Sequence, residues 1–234
     1  MTDVSKRAAA KAALKYIHND MTLGLGSGST MYYFLEELSH LVTTGWRMTG
    51  VPTSERTAGW AQDFGIPLVE LKGETVVDVA VDGANQVSED FHMLKGGGGS
   101  LVREKIVDAS AKELVILVDE SKCVRQINHA ALPVEVLPFG WEKTAVTIEK
   151  LGYEPVLRYQ GKSPFISDNS NYILDCHFQQ LDNPQEAHWH LKQNVGVVDT
   201  GLFIGLADTI IIGKEEGAVE EKRREQSADQ EVQP

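Results

Sequence analysis

The stretch MTLGLGSGSTMYYFLEELSHL, residues 21–41, begins with five strand-forming positions. It bends through Gly26, Ser27, Gly28, Ser29 and Thr30, then resumes with helical periodicity from Met31 to Leu41. A strand that turns through a glycine loop into a helix is the opening unit of a layered α/β sheet. On its N-terminal side, residues 5–18 place Ala9, Ala12, Ala13, Tyr16 and Ile17 on one helical face, and Asn19-Asp20 ends that helix. On its C-terminal side the alternation recurs: a strand over 46–51, a helix over 54–64, a short strand near Leu68, an apolar strand over 76–81, a helix over 100–110 and a strand over 114–118. Strands that are apolar at nearly every position are buried on both faces, so the expected fold class is α/β, a Rossmann-like, mostly parallel sheet covered by helices.

The texture changes near Pro133. Strand patterns over 134–137, 153–159, 171–178 and 195–198, with helices over 141–151 and 184–191, read as a smaller inserted α+β domain. The expected division is 1–130 plus 206–213 for the first domain and 131–205 for the second, with the apolar run 209–212 returning to the first sheet. Residues 214–234 carry seven acidic and four basic side chains and few apolar ones, and such a tail is expected to stay disordered.

Charge narrows the function classes. With 22 Lys+Arg against 34 Asp+Glu the net charge is -12, which disfavours binding to a phosphate backbone, so no nucleic-acid partner is expected. Two cysteines in no CxxC pattern argue against a disulfide framework and a thiolate zinc site. No run approaches the roughly 18 apolar residues of a membrane span, and the N-terminus lacks an apolar signal core. A cytoplasmic protein without a membrane partner is the expectation.

Three loops carry candidate chemistry. Ser27, Gly28, Ser29 and Thr30 sit where a strand meets a helix, so the loop suits a phosphate monoester through backbone N–H groups and hydroxyls; a plain tight turn with a serine cap has the same pattern. Lys95, Gly96, Gly97, Gly98 and Gly99 precede another helix, and four consecutive glycines are costly to order unless backbone must approach something closely. Lys95 offers a cation for a developing oxyanion, and Glu104 a carboxylate, which alternatively complements the helix dipole. Asp82, Gly83, Ala84 and Asn85 follow the apolar strand at the edge where open α/β sheets place ligands, although Asp-Gly also makes ordinary turns. Lys122 ends the next strand at the same edge. His188 and His190 lack a third ligand, so neither a metal nor a nucleotide cofactor is indicated.

In this order the segments resemble the ribose-5-phosphate isomerase A family from Lys6 to about Gly213. The resemblance rests on GSGST at 26–30, PTS at 52–54, DGA at 82–84, KGGGGSLVREKI at 95–106, DESK at 119–122, LPVEVLPF at 132–139, SDNSNYILD at 167–175 and GVVDTGLF at 196–203. It implies a Rossmann-like domain interrupted by a ferredoxin-like one. It also implies interconversion of D-ribose 5-phosphate and D-ribulose 5-phosphate through a cis-enediolate, with Glu104 as general base and Asp82 and Lys95 as further catalytic groups. The matching sugar-phosphate-binding positions are Ser27 to Thr30, Gly83 to Asn85, Gly96 to Gly98 and Lys122, with Lys6 near the same pocket. Members are generally oligomeric, so a homodimer or homotetramer is implied. One departure stands out: the family's DGADE reads DGANQ here, so Asn85 and Gln86 replace two acids. An amide holds a hydroxyl but does not accept a proton as a carboxylate does. The alternatives are therefore an isomerase for a different sugar phosphate, or a sugar-phosphate-binding paralogue with weakened turnover.

Overall fold

The computed structural model describes residues 3–128, 131–178 and 181–225. Its central sheet has six strands in the spatial order Val219–Arg223, Thr209–Gly213, Ala111–Asp119, Val77–Gly83, Met21–Leu25, Met48–Pro52. All neighbours run parallel except the first pair. Side chains alternate across a strand, and here each alternate set meets its own core. Val115 and Leu117 join Leu23, Leu25, Val79, Val81 and Ile211 under helices Asp3–Ala13 and Ser29–Thr43. Leu114, Ile116 and Val118 face the other way, onto Ala80, Leu101, Ile210, Ile212 and Phe203. Burial on both faces is why these strands read as continuous apolar runs rather than alternating ones.

The second sheet has the order Val197–Thr200, Leu132–Val136, Tyr172–His177, Glu154–Leu157, antiparallel throughout. Helices Trp141–Glu149 and Pro184–Lys192 cover it, giving the chain order β-α-β-β-α-β of a ferredoxin-like unit. Its core, including Leu132, Val134, Ile148, Leu174 and Leu191, is separate from the two cores of the central sheet.

The expectation for the C-terminal tail needs correction. Residues 219–223 form an edge strand on Thr209–Gly213, and residues 226–234 lie outside the described residues. Low apolar content argues against a buried element, but an edge strand needs only a backbone ladder and compatible charges. Lys15 pairs with Glu221, Arg223 Nη2 donates to Tyr16 Oη at 3.1 Å, and Arg224 Nη2 lies 3.0 Å from Asp208 Oδ1. A charged strand also blunts the sheet edge against further pairing. Two smaller differences concern short elements. The first helix ends at Ala13 and tightens into a 3₁₀ turn, Leu14–Tyr16. Gln86–Ser88, Met93–Leu94, Cys123–Val124 and Leu202–Phe203 build a small extra sheet from strands too short to show a period. Among the described residues, no helix is long and apolar enough to cross a membrane.

Candidate active site

The carboxyl ends of Met21–Leu25 and Val77–Gly83 lie side by side, with Leu25 paired to Val81, so their following residues meet directly. Asp82 is fully buried there, and its Oδ1 accepts from the backbone N–H groups of Ser27 at 2.9 Å and Gly83 at 2.6 Å. This contact explains the first glycine of the loop: a Cβ on Gly26 would stand 2.1 Å from Asp82 Cγ. The Ser27 hydroxyl, expected to face a ligand, instead bonds Thr53 Oγ1 at 2.8 Å and Ser54 Oγ at 2.9 Å. Ser54 also caps helix Glu55–Asp63 through Thr57 N, and Thr57 Oγ1 donates to Gly26 O at 2.9 Å. This hydroxyl cluster fastens the glycine loop to the start of the next helix.

Lys95 reaches back from the second loop into that buried region. Its Nζ donates to Gly83 O at 2.5 Å and stands 2.8 Å from Asp82 Oδ2, 3.7 Å from Glu104 Oε2 and 3.9 Å from Asp108 Oδ2. Glu104 and Asp108 are one turn apart on helix Leu101–Ser110, so their side chains share a face. One cation thus serves three buried carboxyl groups. Burial alone would lower the Lys95 pKa, but Asp82, Glu104 and Asp108 together outweigh it and hold the ammonium charged. Glu104 is pushed up to about 7, by burial against the pull of Lys95 and with the Asp82 charge adding to the rise. Burial, then the Asp82 charge, drives Asp108 well above the ordinary carboxylate range. Asp108 was not singled out from the sequence; its signal is the spacing of four from Glu104 on an otherwise apolar helical face.

In front of this cluster opens a cleft of about 180 Å³. Ser27, Gly28, Ser29 and Thr30 form one side, Gly83, Ala84 and Asn85 a second, and Lys95 with Gly96, Gly97 and Gly98 a third; Glu104 and Lys122 complete it. Thirteen of the fifteen residues singled out therefore converge, while two do not line the cleft. Asp82 sits behind the wall, touching the site through Lys95. Lys6 lies on the first helix, with its ammonium 3.9 Å from Asp3 and 5.9 Å from the Tyr33 ring centroid. The structure adds Leu117 and Val118 as apolar wall; as strand-core residues they carry no chemical signal in the sequence. The two amides at the DGANQ departure both hold neighbouring loops. Asn85 Oδ1 accepts from Gly97 N at 3.0 Å, and Gln86 exchanges hydrogen bonds with the backbone of Asn128 at 2.8 and 3.1 Å.

A carboxylate tuned near neutrality, a captive lysine and a helix N-terminus around one small cleft define an acid–base enzyme for a small anionic substrate. Comparison with known proteins narrows the class. Residues 49–217 match the family described as ribose 5-phosphate isomerase A (phosphoriboisomerase A). Ribose-5-phosphate isomerase A 1 of Oceanobacillus iheyensis is 43% identical over 215 residues, 92% of this chain and 96% of the relative. Ribose-5-phosphate isomerase A of Bacillus mycoides is 43% identical over 216 residues, 92% and 98% of the two chains. Among solved structures, ribose 5-phosphate isomerase from Plasmodium falciparum superposes with a TM-score of 0.92 at 34% identity, covering 97% of this chain and all of that one. A D-ribose-5-phosphate isomerase in complex with phospho-erythronic acid superposes at 0.91 with 35% identity, covering 96% and 100%. The chain belongs to the ribose 5-phosphate isomerase A family.

Proposed function

We propose that this chain interconverts D-ribose 5-phosphate and D-ribulose 5-phosphate, the reaction that gives its family its name, with Glu104 carrying the proton between C2 and C1. The observation that supports this reading is the Glu104 carboxyl group itself: it lines the cleft, is 6% exposed, and titrates at about 7. A base with that pKa is half ionised near neutrality, so it can both take and return a proton. In the aldose-to-ketose direction Glu104 removes the C2 proton, and the electron pair forms the C1–C2 double bond of a cis-enediolate as the C1 carbonyl becomes an oxyanion. Lys95, held charged, stabilises that oxyanion. The O2 proton passes to O1, C2 becomes the carbonyl, and Glu104 returns its proton to C1. Asn85 holds a sugar hydroxyl without titrating, and Asp82 acts on the reaction through Lys95. The phosphate lies at the start of helix Ser29–Thr43, where Ser29 and Thr30 offer backbone N–H groups, with Lys122 as a further cation.

A binder without turnover is the weaker reading, because both groups that the proton transfer needs line the cleft. Ketose formation from ribose 5-phosphate decides the matter. Wild type turns over and Glu104→Gln loses roughly 10²–10⁴-fold, whereas ligand binding without turnover in wild type, restored by Asn85→Asp, establishes the binder. The setting we infer is a cytoplasmic homodimer or homotetramer. Exposed Phe139, Ile166 and Val195 on or beside the second sheet offer apolar contact area, and light scattering on the purified protein reads the assembly directly.

A further inference from the structure

The glycine loop that follows Lys95 is held from outside the central sheet. Arg158, just beyond strand Glu154–Leu157 of the second sheet, bonds through its own N–H to Ile173 O at 2.9 Å. Its guanidinium donates from Nε to Asp175 Oδ2 at 2.8 Å and from Nη2 to Asp175 Oδ1, a two-pronged grip that fixes the plane of the group. The remaining Nη1 donates to two successive carbonyls of the loop, Gly96 O at 3.0 Å and Gly97 O at 3.2 Å. Phe165 forms the floor beside it. The Arg158 guanidinium is 5.7 Å from that ring centroid, and Gly99, at φ +89°, passes so close that a Cβ would stand 2.3 Å from Phe165 Cζ.

In a trans peptide the C=O and N–H point in opposite directions, and the described chain contains no cis bond. Turning the Gly96 carbonyl toward Arg158 therefore turns the Gly97 N–H away from it, where Asn85 Oδ1 accepts it at 3.0 Å. Turning the Gly97 carbonyl toward Arg158 likewise turns the Gly98 N–H away from it, and Gly98 is one of the residues that line the cleft. Glycine has no side chain to select between the two peptide orientations, so the selection falls to the groups that bind the carbonyls.

We propose that Arg158, held by Asp175, is a positioning residue for substrate binding: it orients the peptides of Gly96 to Gly98 so that the Gly98 N–H donates to an oxygen of the bound sugar phosphate. This rests on the sugar-phosphate reading of the cleft. Arg158 touches no reacting atom, so its loss weakens binding and leaves the proton transfer intact. Arg158→Met is expected to raise the KM for ribose 5-phosphate about tenfold, the equivalent of one ordinary hydrogen bond, with kcat within about threefold and the pH dependence of the rate unmoved. Arg158→Lys keeps a charge but loses the fork, and falls between the two. Asp175→Asn, which frees the guanidinium to swing, follows Arg158→Met in direction. As a second measurement, one that does not depend on turnover, the Gly98 amide resonance of the Glu104→Gln protein shifts when ribose 5-phosphate is added. Adding Arg158→Met removes that shift.

A Gly98 amide indifferent to ribose 5-phosphate overturns the inference, as does a folded Arg158→Met variant with wild-type KM. If Arg158→Met does not fold, Arg158→Lys and the amide shift still decide. A wild-type protein that neither binds nor converts ribose 5-phosphate instead overturns the reading of the cleft, a different and separable result.

Discussion

Two glutamates, both almost wholly shielded from water, behave as opposites. Glu135, on strand Leu132–Val136 of the second sheet, offers one oxygen to three neutral donors: Ser167 Oγ at 2.9 Å, Asn169 Nδ2 at 3.2 Å and Asn171 Nδ2 at 2.9 Å. The loop it gathers reaches back to two helices beside the central sheet, where Arg103 Nε donates to Asn169 Oδ1 at 2.9 Å and Glu55 N to Asp168 Oδ2 at 2.9 Å. Glu104 has no comparable set of neutral donors: a lysine at 3.7 Å, shared with two other acids, is its counterpart. Three neutral donors that converge on one carboxylate oxygen make the group a structural clamp, since removing the side chain breaks several hydrogen bonds at once. Burial beside one divided cation leaves both protonation states accessible, and that is what a proton carrier requires.

Removing the cation tests the contrast most severely. Lys95→Met strands Asp82, Glu104 and Asp108 without a counter-charge, and is expected to cost about 3–5 kcal/mol of stability and to abolish turnover, measured by urea unfolding and by ketose formation. Glu135→Leu separates structure from chemistry. It leaves three donors without their acceptor, buried Ser167 among them, and lowers stability by about 1–3 kcal/mol, while the pH dependence of turnover stays where it was. A shifted pH profile in that variant would erase the distinction between the two glutamates.

Proton linkage sharpens it further. Glu104 is raised in the folded state from 4.5 to about 7. Its contribution is therefore fully present below about pH 4.5 and is lost as pH rises to about 7. Glu104→Gln removes this loss, so the variant unfolds at a higher temperature than wild type at pH 8, with little difference at pH 4. The same group sets the acid limb: kcat/KM for ribose 5-phosphate rises with pH through about 7 as the base ionises. The smallest effect is expected from Asp108→Asn. Burial and the Asp82 charge push the Asp108 pKa well above the ordinary carboxylate range, and an amide of the same shape stands in for its neutral form, so turnover is expected to stay within about threefold of wild type.

The alternation of strands and helices was legible because a sheet buried on both faces writes itself as apolar runs at positions 77–81 and 114–118. The loops around Ser27, Asn85 and Gly97 were legible as candidates because glycine lets backbone approach a ligand closely, although ordinary turns carry the same pattern. The edge strand Val219–Arg223 was not, since its stability comes from a backbone ladder and from ion pairs with residues far away in sequence, such as Lys15. Asp108 was obscured for a similar reason. An acid on a helix is ordinary until the turn above it and a lysine from another loop are seen to share its burial.

Local order along the chain was enough to determine the alternation of strands and helices and the glycine loops at the carboxyl edge, because each depends on residues close in sequence. Only the tertiary structure decided that Asp82 stands behind the cleft wall, that the Lys6 ammonium sits beside Asp3 and the Tyr33 ring without lining the cleft, that the Ser27 hydroxyl is already engaged, and that an arginine from the second sheet grips the glycine loop. Those outcomes depend on distances between segments far apart in the chain, and on how one buried cation divides its charge among three acids, neither of which any window of sequence contains.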